Sequence, residues 1–137
     1  MNLKQIARQQ LADYDRGHPG LCFLDPALAL SPADAYALQI EVARLRQDRG
    51  EAVAGYKIGC ISAAIQRQFG VAEPVFGHLY ETELLPSGAE LDPDRYENLA
   101  IEGEFAIRLA CDVPDAHWLR THRGEAIATV FPVIELH

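Results

Sequence analysis

Residues 101–109, IEGEFAIRL, decide the fold because apolar and polar side chains alternate along them. Successive side chains of a β-strand point to opposite faces, so residues two positions apart share a face. One face would carry Ile101, Gly103, Phe105, Ile107 and Leu109. The opposite face would carry Glu102, Glu104, Ala106 and Arg108. The segment therefore predicts a strand with one apolar face and one charged face.

The first 50 residues predict two helices. Apolar residues at helical spacing indicate an amphipathic helix over residues 2–15. Ser31 followed by Pro32 supplies an N-cap and a first-turn proline for a second helix, which ends at Gly50.

Strands are predicted mainly after residue 50. The segments AVAGYKIG, residues 52–59, and IATVFPVIELH, residues 127–137, have the apolar and β-branched composition of strands. Between them Ser62 caps a short helix that stops at Gly70. An order of helices first and strands later indicates the α+β class.

Length and composition predict one globular domain over residues 1–137, helical in residues 1–50 and strand-rich in residues 51–137. The chain has 137 residues, of which 49% are hydrophobic, enough for a single core. A formal net charge of -8 would repel a phosphate backbone, so we expect no nucleic-acid partner. Every apolar run is shorter than the ~20 residues of a spanning helix, so we expect no membrane partner and a cytoplasmic location.

Three acidic residues are candidate metal ligands. Glu102 and Glu104 share a strand face, where two like charges favour a cation between them. Glu135 lies in the apolar stretch VIEL, and if its strand lies beside the first, three carboxylates meet. Oxygen ligands favour a hard ion, Mg²⁺ first and Mn²⁺ second. The spacing alone favours a simpler interpretation, a solvated sheet face on which Arg108 pairs with one of the acids.

Lys57 and Ser62 each allow two interpretations. Lys57, between Tyr56 and Ile58, is either an exposed strand lysine, which the pattern favours, or an ammonium that binds a substrate carboxylate or exchanges protons. For Ser62 the favoured interpretation is the N-cap of its helix, and the other interpretation is a contact to a ligand.

Four segments, in this order, resemble the N-terminal part of the fumarylacetoacetate hydrolase superfamily. They are GYKIGCIS (55–62), FGVAEPVFGHL (69–79), IEGEFAIRL (101–109) and FPVIEL (131–136). The branch that the chain resembles contains the 2-keto-4-pentenoate hydratases and 2-oxohex-3-enedioate decarboxylases. The resemblance implies a partial mixed β-roll of that superfamily, and it reverses the simpler interpretation of the acids.

By position, the resemblance implies that Glu102, Glu104 and Glu135 are the metal ligands. It implies that Lys57 is the catalytic lysine and that Lys57 and Ser62 contact the substrate. The implied activity is that of a Mg²⁺- or Mn²⁺-dependent lyase, a hydratase of a 2-hydroxy-2,4-dienoate or 2-oxo acid in the degradation of aromatic compounds. A decarboxylase of 2-oxo acids is the alternative within the branch.

Two features depart from the superfamily's pattern. Ile61 stands where a threonine is usual, which removes a hydroxyl near the substrate. Members of the superfamily are longer, and the chain stops directly after the last implied metal ligand, so we expect a truncated or naturally shortened member. Exposed strand surface then predicts a homo-oligomer. The alternative is a truncated, non-catalytic module that pairs with a longer relative.

Overall fold

The computed structural model of the chain describes residues 2–96 and 99–136. Its helices are α1 (Leu3–Asp15), α2 (Pro32–Asp48), α3 (Ala63–Phe69), α4 (Ala116–Thr121) and α5 (Arg123–Ala126). Its strands are β1 (Val53–Gly59), β2 (Val75–Tyr80), β3 (Ile101–Leu109) and β4 (Ile127–Leu136). Helices combined with small antiparallel sheets confirm the predicted α+β class. Within the described residues, no helix has both the length and the apolar composition that crossing a membrane requires.

The chain divides into two compact units, Met1–Asp92 and Pro93–His137. The first unit contains α1, α2, α3 and the antiparallel pair of β1 with β2. The second unit contains the antiparallel pair of β3 with β4, together with α4 and α5. The single domain over residues 1–137 stays a prediction.

A capping box fixes the start of α2. The Asp34 amide donates to Ser31 Oγ at 3.1 Å, and the Ser31 amide donates to the Asp34 carboxylate at 3.3 Å. Hydrogen bonds from the side chain and the backbone of Ser31 lower the pKa of Asp34, which keeps a negative charge at the positive end of the helix. The helix start predicted at Ser31 is confirmed.

Arg46 of α2 forms the centre of a buried ionic cluster in the first unit. The residue is only 6% exposed, which is unusual for an arginine. Its Nε donates to Glu51 at 2.8 Å, and its Nη1 lies 2.8 Å from Glu83. The guanidinium carbon lies 3.5 Å from the centre of the Tyr80 ring, in a cation–π contact. The cluster joins the last turns of α2 to the end of β2.

Glu51 makes the stability of this unit depend on pH. Burial raises the pKa of Glu51, but hydrogen bonds from Arg46 and Arg49, and their positive charges, outweigh burial and lower the pKa below its ordinary value of 4.5. A carboxyl whose pKa is lower in the folded state stabilises that state fully above its unfolded pKa, and the stabilisation is lost as the pH falls through the folded pKa.

We therefore expect Glu51→Gln to destabilise the protein most near neutral pH. The difference in the free energy of unfolding between the wild type and the variant should shrink as the pH falls below about 4.5. Urea denaturation at a series of pH values measures this difference. A difference that stays constant into strongly acidic solution would contradict the assignment to Glu51.

The strands of the second unit pair in a register that places acids opposite each other. Glu102 lies opposite Glu135, and Glu104 lies opposite Val133. Directly opposed residues of an antiparallel pair share a face, so the acids of both strands lie on the same side of the sheet. The ladder shifts between Arg108 and Leu109, where a bulge ends the regular pairing. The strand predicted over residues 101–109 is confirmed.

Candidate metal centre

The three predicted acids converge on one face of the second unit. Each of Glu102, Glu104 and Glu135 offers one carboxylate oxygen, and these oxygens lie within 4.8 Å of one another. Glu102 is exposed, whereas Glu104 and Glu135 are half-buried. The convergence has a simple origin, because the register sets Glu135 beside Glu102 and the strand period adds Glu104 on the same side.

This arrangement fits a hard divalent cation. Two ligand oxygens on opposite sides of an ion are separated by twice the bond length, which is about 4–5 Å for Mg²⁺ or Ca²⁺. Oxygen separations of up to 4.8 Å therefore allow all three acids to contact a single ion. Three carboxylates so close together also repel one another, and a bound cation would relieve that repulsion.

Arg108 and Phe131 occupy the part of the acidic face farther along β3. The Arg108 guanidinium carbon lies 5.4 Å from the centre of the Phe131 ring. Phe131 is opposite Ala106, so the ring belongs to the same face as the acids. The acidic cluster is therefore followed along the sheet by an aromatic ring and a positive charge.

Lys57 lies in the middle of β1, directly opposite Gly77 of β2. It is half-buried, while its neighbours Tyr56 and Ile58 are exposed on the other face of the strand. A side-chain carbon added at Gly77 would meet no atom within 4 Å, so there is open space across the strand pair. The exposed strand lysine favoured by the pattern is therefore wrong, because Lys57 points to the more buried face.

Ser62 has the predicted role of N-cap of α3. Its Oγ accepts a hydrogen bond from the Ile65 amide at 3.3 Å. Capping uses an acceptor site of the hydroxyl, so its O–H can still donate to a ligand. The structure thus supports the capping interpretation and leaves the ligand contact chemically available.

The turn between β1 and α3 contains a feature that sequence reasoning missed. Cys60 has a φ of 54°, in the left-handed region that residues other than glycine rarely adopt. The Gln66 side chain donates to the Cys60 carbonyl at 2.8 Å and holds the turn. Such strained backbone often occurs at functional sites. No sequence signal indicated it, since glycine and asparagine are the usual residues at this conformation.

The five predicted site residues are thus distributed over both units. The three acids lie together in the second unit, and Lys57 and Ser62 lie near each other along the chain in the first. Their roles as ligands and catalytic groups are proposals that the following relationships support.

Comparison with known sequences identifies enzyme relatives. No protein-family model matches the chain. The 4-oxalocrotonate decarboxylase of Pseudomonas putida is 33% identical over 102 residues, covering 74% of this chain and 38% of the relative. The 2-oxo-hept-4-ene-1,7-dioate hydratase of Escherichia coli is 33% identical over 103 residues, covering 75% of this chain and 39% of the relative. The 2-keto-4-pentenoate hydratase of Burkholderia vietnamiensis is 37% identical over 79 residues, covering 58% of this chain and 30% of the relative.

A solved structure matches nearly the whole chain. It is the 4-oxalocrotonate decarboxylase from Pseudomonas putida G7 complexed with magnesium and adipate, with a TM-score of 0.81 and 26% sequence identity. The match covers 98% of this chain and 51% of that protein. The same enzyme has also been solved with calcium and acetate. The chain therefore spans about half of the solved relative and 39% or less of the three curated relatives above.

Proposed function

We propose a function from the premise that this chain is related to the 2-keto-4-pentenoate hydratase and 4-oxalocrotonate decarboxylase branch of the fumarylacetoacetate hydrolase superfamily. The proposed function is that of a divalent-metal-dependent hydratase, a lyase that adds water to a 2-hydroxy-2,4-dienoate or a related 2-oxo acid. The natural context would be the degradation of aromatic compounds. Because the chain spans 38% of the decarboxylase of Pseudomonas putida, this activity has to be measured on the chain itself.

The observation that carries the proposal is the convergence of Glu102, Glu104 and Glu135. Among the described residues this cluster consists of three carboxylates without a nitrogen or sulfur ligand, and such a set suits Mg²⁺, with Mn²⁺ as the second choice. The solved relative is complexed with magnesium in one structure and with calcium in another, which supports a divalent ion. We propose Mg²⁺ as the ion of this chain.

The proposed roles follow from the chemistry of each side chain. The three glutamates would hold the ion, which when bound would draw electron density from the 2-oxo group and neighbouring carboxylate of the substrate. Lys57 Nζ carries the proton that is transferred to or from the conjugated carbon chain, and its positive charge steadies the developing negative charge. The Ser62 hydroxyl donates a hydrogen bond to the substrate.

Decarboxylation is the second candidate, and the named relatives include both reactions. In hydration, the elements of water add across a carbon–carbon double bond. In decarboxylation, the bond to a carboxylate breaks, carbon dioxide leaves and a proton takes its place. Both reactions need the same electron withdrawal at the 2-oxo group, so the three acids serve either one.

Partners and location stay proposals as well. A small 2-oxo or 2-hydroxydienoic acid is the proposed substrate, and a homo-oligomer is the proposed assembly. A cytoplasmic location and the lack of a nucleic-acid partner stay predictions.

The proposal predicts metal-dependent turnover. Purified protein with 2-hydroxypenta-2,4-dienoate and Mg²⁺ should remove the dienol absorbance, and chelation should stop the reaction until Mg²⁺ or Mn²⁺ is restored. Glu135→Gln removes one negative charge from the cluster, and we expect the affinity for Mg²⁺ to fall about 30-fold, which corresponds to ~2 kcal/mol of lost attraction. Calorimetric titration with Mg²⁺ measures this affinity.

Glu125→Gln is the matched control, because Glu125 is an exposed glutamate of α5 in the same unit. The substitution changes the net charge by the same amount as Glu135→Gln does, and the variant should bind Mg²⁺ as tightly as the wild type. A wild type that binds no Mg²⁺ would contradict the metal centre. Binding without turnover would contradict hydratase activity of this chain and favour the module that pairs with a longer relative.

A further inference from the structure

The turn between β1 and α3 joins the two proposed substrate contacts of the first unit, Lys57 and Ser62. β1 ends at Gly59 and α3 begins at Ala63, so only residues 60–62 separate the strand from the helix. Ser62 caps the helix, and its hydroxyl therefore moves with the start of α3. The conformation of this turn consequently sets where the Ser62 hydroxyl lies relative to the Lys57 ammonium.

Cys60 gives the turn an intrinsically unfavourable backbone. Its φ of 54° lies in the left-handed region, where the Cβ atom crowds the following carbonyl oxygen. For a residue other than glycine, this crowding lowers the population of the conformation about fivefold or more. Such a backbone persists only where the surrounding contacts hold it.

Gln66 supplies the contact that holds this turn. Its side-chain Nε2 donates to the Cys60 carbonyl at 2.8 Å, and its backbone N–H donates to the Ser62 carbonyl at 2.9 Å. Its own carbonyl accepts from the Val71 amide at 3.0 Å, beyond the end of α3. The Gln66 side chain is half-buried, so water competes only partly for its hydrogen bond. One residue thus fixes both the entry to α3 and its exit.

The hydrogen bond and the backbone preference are of similar size. A net intramolecular hydrogen bond favours its conformation about two- to tenfold, which is comparable with the penalty on the left-handed backbone of Cys60. Removing the Gln66 amide should therefore release the turn. Its effect would be felt at Ser62, which follows the turn, and not at the distant acids of the second unit.

We propose that Gln66 is a positioning residue for the proposed hydratase reaction. Its side-chain amide holds the left-handed turn at Cys60, and the turn places the Ser62 hydroxyl against the Lys57 ammonium. This inference rests on the proposed function, in which Lys57 and Ser62 both contact the substrate. Gln66 itself contacts no substrate and acts only through the backbone.

Steady-state kinetics with 2-hydroxypenta-2,4-dienoate and saturating Mg²⁺ test this role. Gln66→Met keeps an unbranched side chain that suits a helix but removes the donor, and we expect kcat to fall about tenfold or more because small misplacements are costly. The affinity for Mg²⁺ should stay unchanged, since the three acids lie in the second unit. Gln68→Met makes the same chemical change at an exposed position of α3 and should keep the wild-type kcat. Far-UV circular dichroism identifies conditions in which every variant is folded, so that unfolding does not lower kcat.

Two double variants separate positioning from a merely structural role. Adding Cys60→Gly to Gln66→Met should restore kcat about threefold or more, because glycine adopts the left-handed conformation without the penalty. A role only in the stability of α3 predicts no recovery, since glycine adds freedom to the unfolded chain. In a Lys57→Met background, Gln66→Met should change the residual rate less than about twofold, because the group that it helps to place is gone.

Nuclear magnetic resonance couplings that report φ examine the turn without turnover. The Cys60 couplings should leave their left-handed values in Gln66→Met and keep them in Gln68→Met. If the wild type is active, equal kcat in these two variants would overturn the positioning role and leave the proposed function intact. So would a loss in Gln66→Met that Cys60→Gly does not restore. A wild type without metal-dependent turnover would contradict the proposed function and remove the positioning role with it, even if the couplings change as expected.

Discussion

Replacing Lys57 by methionine should lower kcat of the proposed hydratase reaction about 10²- to 10⁴-fold and leave the affinity for Mg²⁺ unchanged. Methionine keeps an unbranched side chain of similar length but cannot carry a proton or a positive charge. The size of the loss is that expected when a positioned general acid or base is removed. Steady-state kinetics at saturating Mg²⁺ measure kcat, and calorimetry measures the metal affinity.

The position of Lys57 in β1 supports the proposed role. The residue lies at the middle of β1 on the more buried face, and Gly77 opposite leaves room beside its stem. The strand is followed at once by the left-handed turn at Cys60, which the Gln66 side chain holds. The backbone that carries Lys57 is therefore held by the strand pair on one side and by a fixed turn on the other, which favours a well-placed side chain.

Lys4 supplies the control for this prediction. It lies exposed on α1, so Lys4→Met makes the same chemical change away from the proposed machinery. Adipate, the dicarboxylate present in the solved relative, gives a second measurement that needs no turnover. With Mg²⁺ present, Lys57→Met should bind adipate more weakly than Lys4→Met does. Equal turnover and equal adipate binding in the two variants would remove Lys57 from the proposed site.

The acidic cluster shows how far the sequence could predict the site. The alternation along residues 101–109 was enough to place Glu102 and Glu104 on one face, because strand geometry has a period of two. The position of Glu135 depended on something the sequence does not specify by itself, namely the register of β3 against β4. A slip of one residue would have moved Glu135 to the apolar face.

Other features depended on partners distant in the sequence and were therefore missed. Leu38 of α2 is buried, as expected for an apolar residue on a packed helix. Helical pattern could not reveal that Arg46 is also buried, because its partner Glu83 comes long after the helix has ended. The pattern alone favoured an exposed Lys57 for a similar reason, since the face of β1 that is covered depends on the packing of the sheet. Local pattern fixes which residues share a face, and tertiary contacts decide which face is buried.

The buried cluster around Arg46 leads to the second large effect, which concerns stability. Arg46→Met should lower the free energy of unfolding by about 3–5 kcal/mol. The substitution leaves the Glu51 and Glu83 carboxylates in a partly buried site without the guanidinium that neutralises both. It also removes the cation–π contact with Tyr80. Urea denaturation at neutral pH measures the change.

Burial by itself lowers the pKa of Arg46. The hydrogen bonds to Glu51 and Glu83 and the negative charges of these two carboxylates outweigh burial and raise the pKa. The guanidinium therefore stays charged. The effect of Arg46→Met is therefore that of breaking a buried ion network from its centre. Adding Glu83→Gln to Arg46→Met should recover part of the loss, because it removes the carboxylate that has lost its guanidinium, whereas Glu51 keeps its ion pair with Arg49.

Arg44→Met is the matched control for this prediction, since Arg44 lies two positions earlier on the same helix. Its side chain is about half exposed and contacts Glu41 at 3.4 Å and Asp48 at 2.6 Å, so it also bridges two acids. Exposed ion pairs contribute only about 0–1 kcal/mol because water screens them and side-chain entropy opposes them. Equal destabilisation by Arg44→Met and Arg46→Met would mean that burial adds nothing to this network. A much larger loss for Arg46→Met would show that the link from α2 to the end of β2 depends on one buried charge.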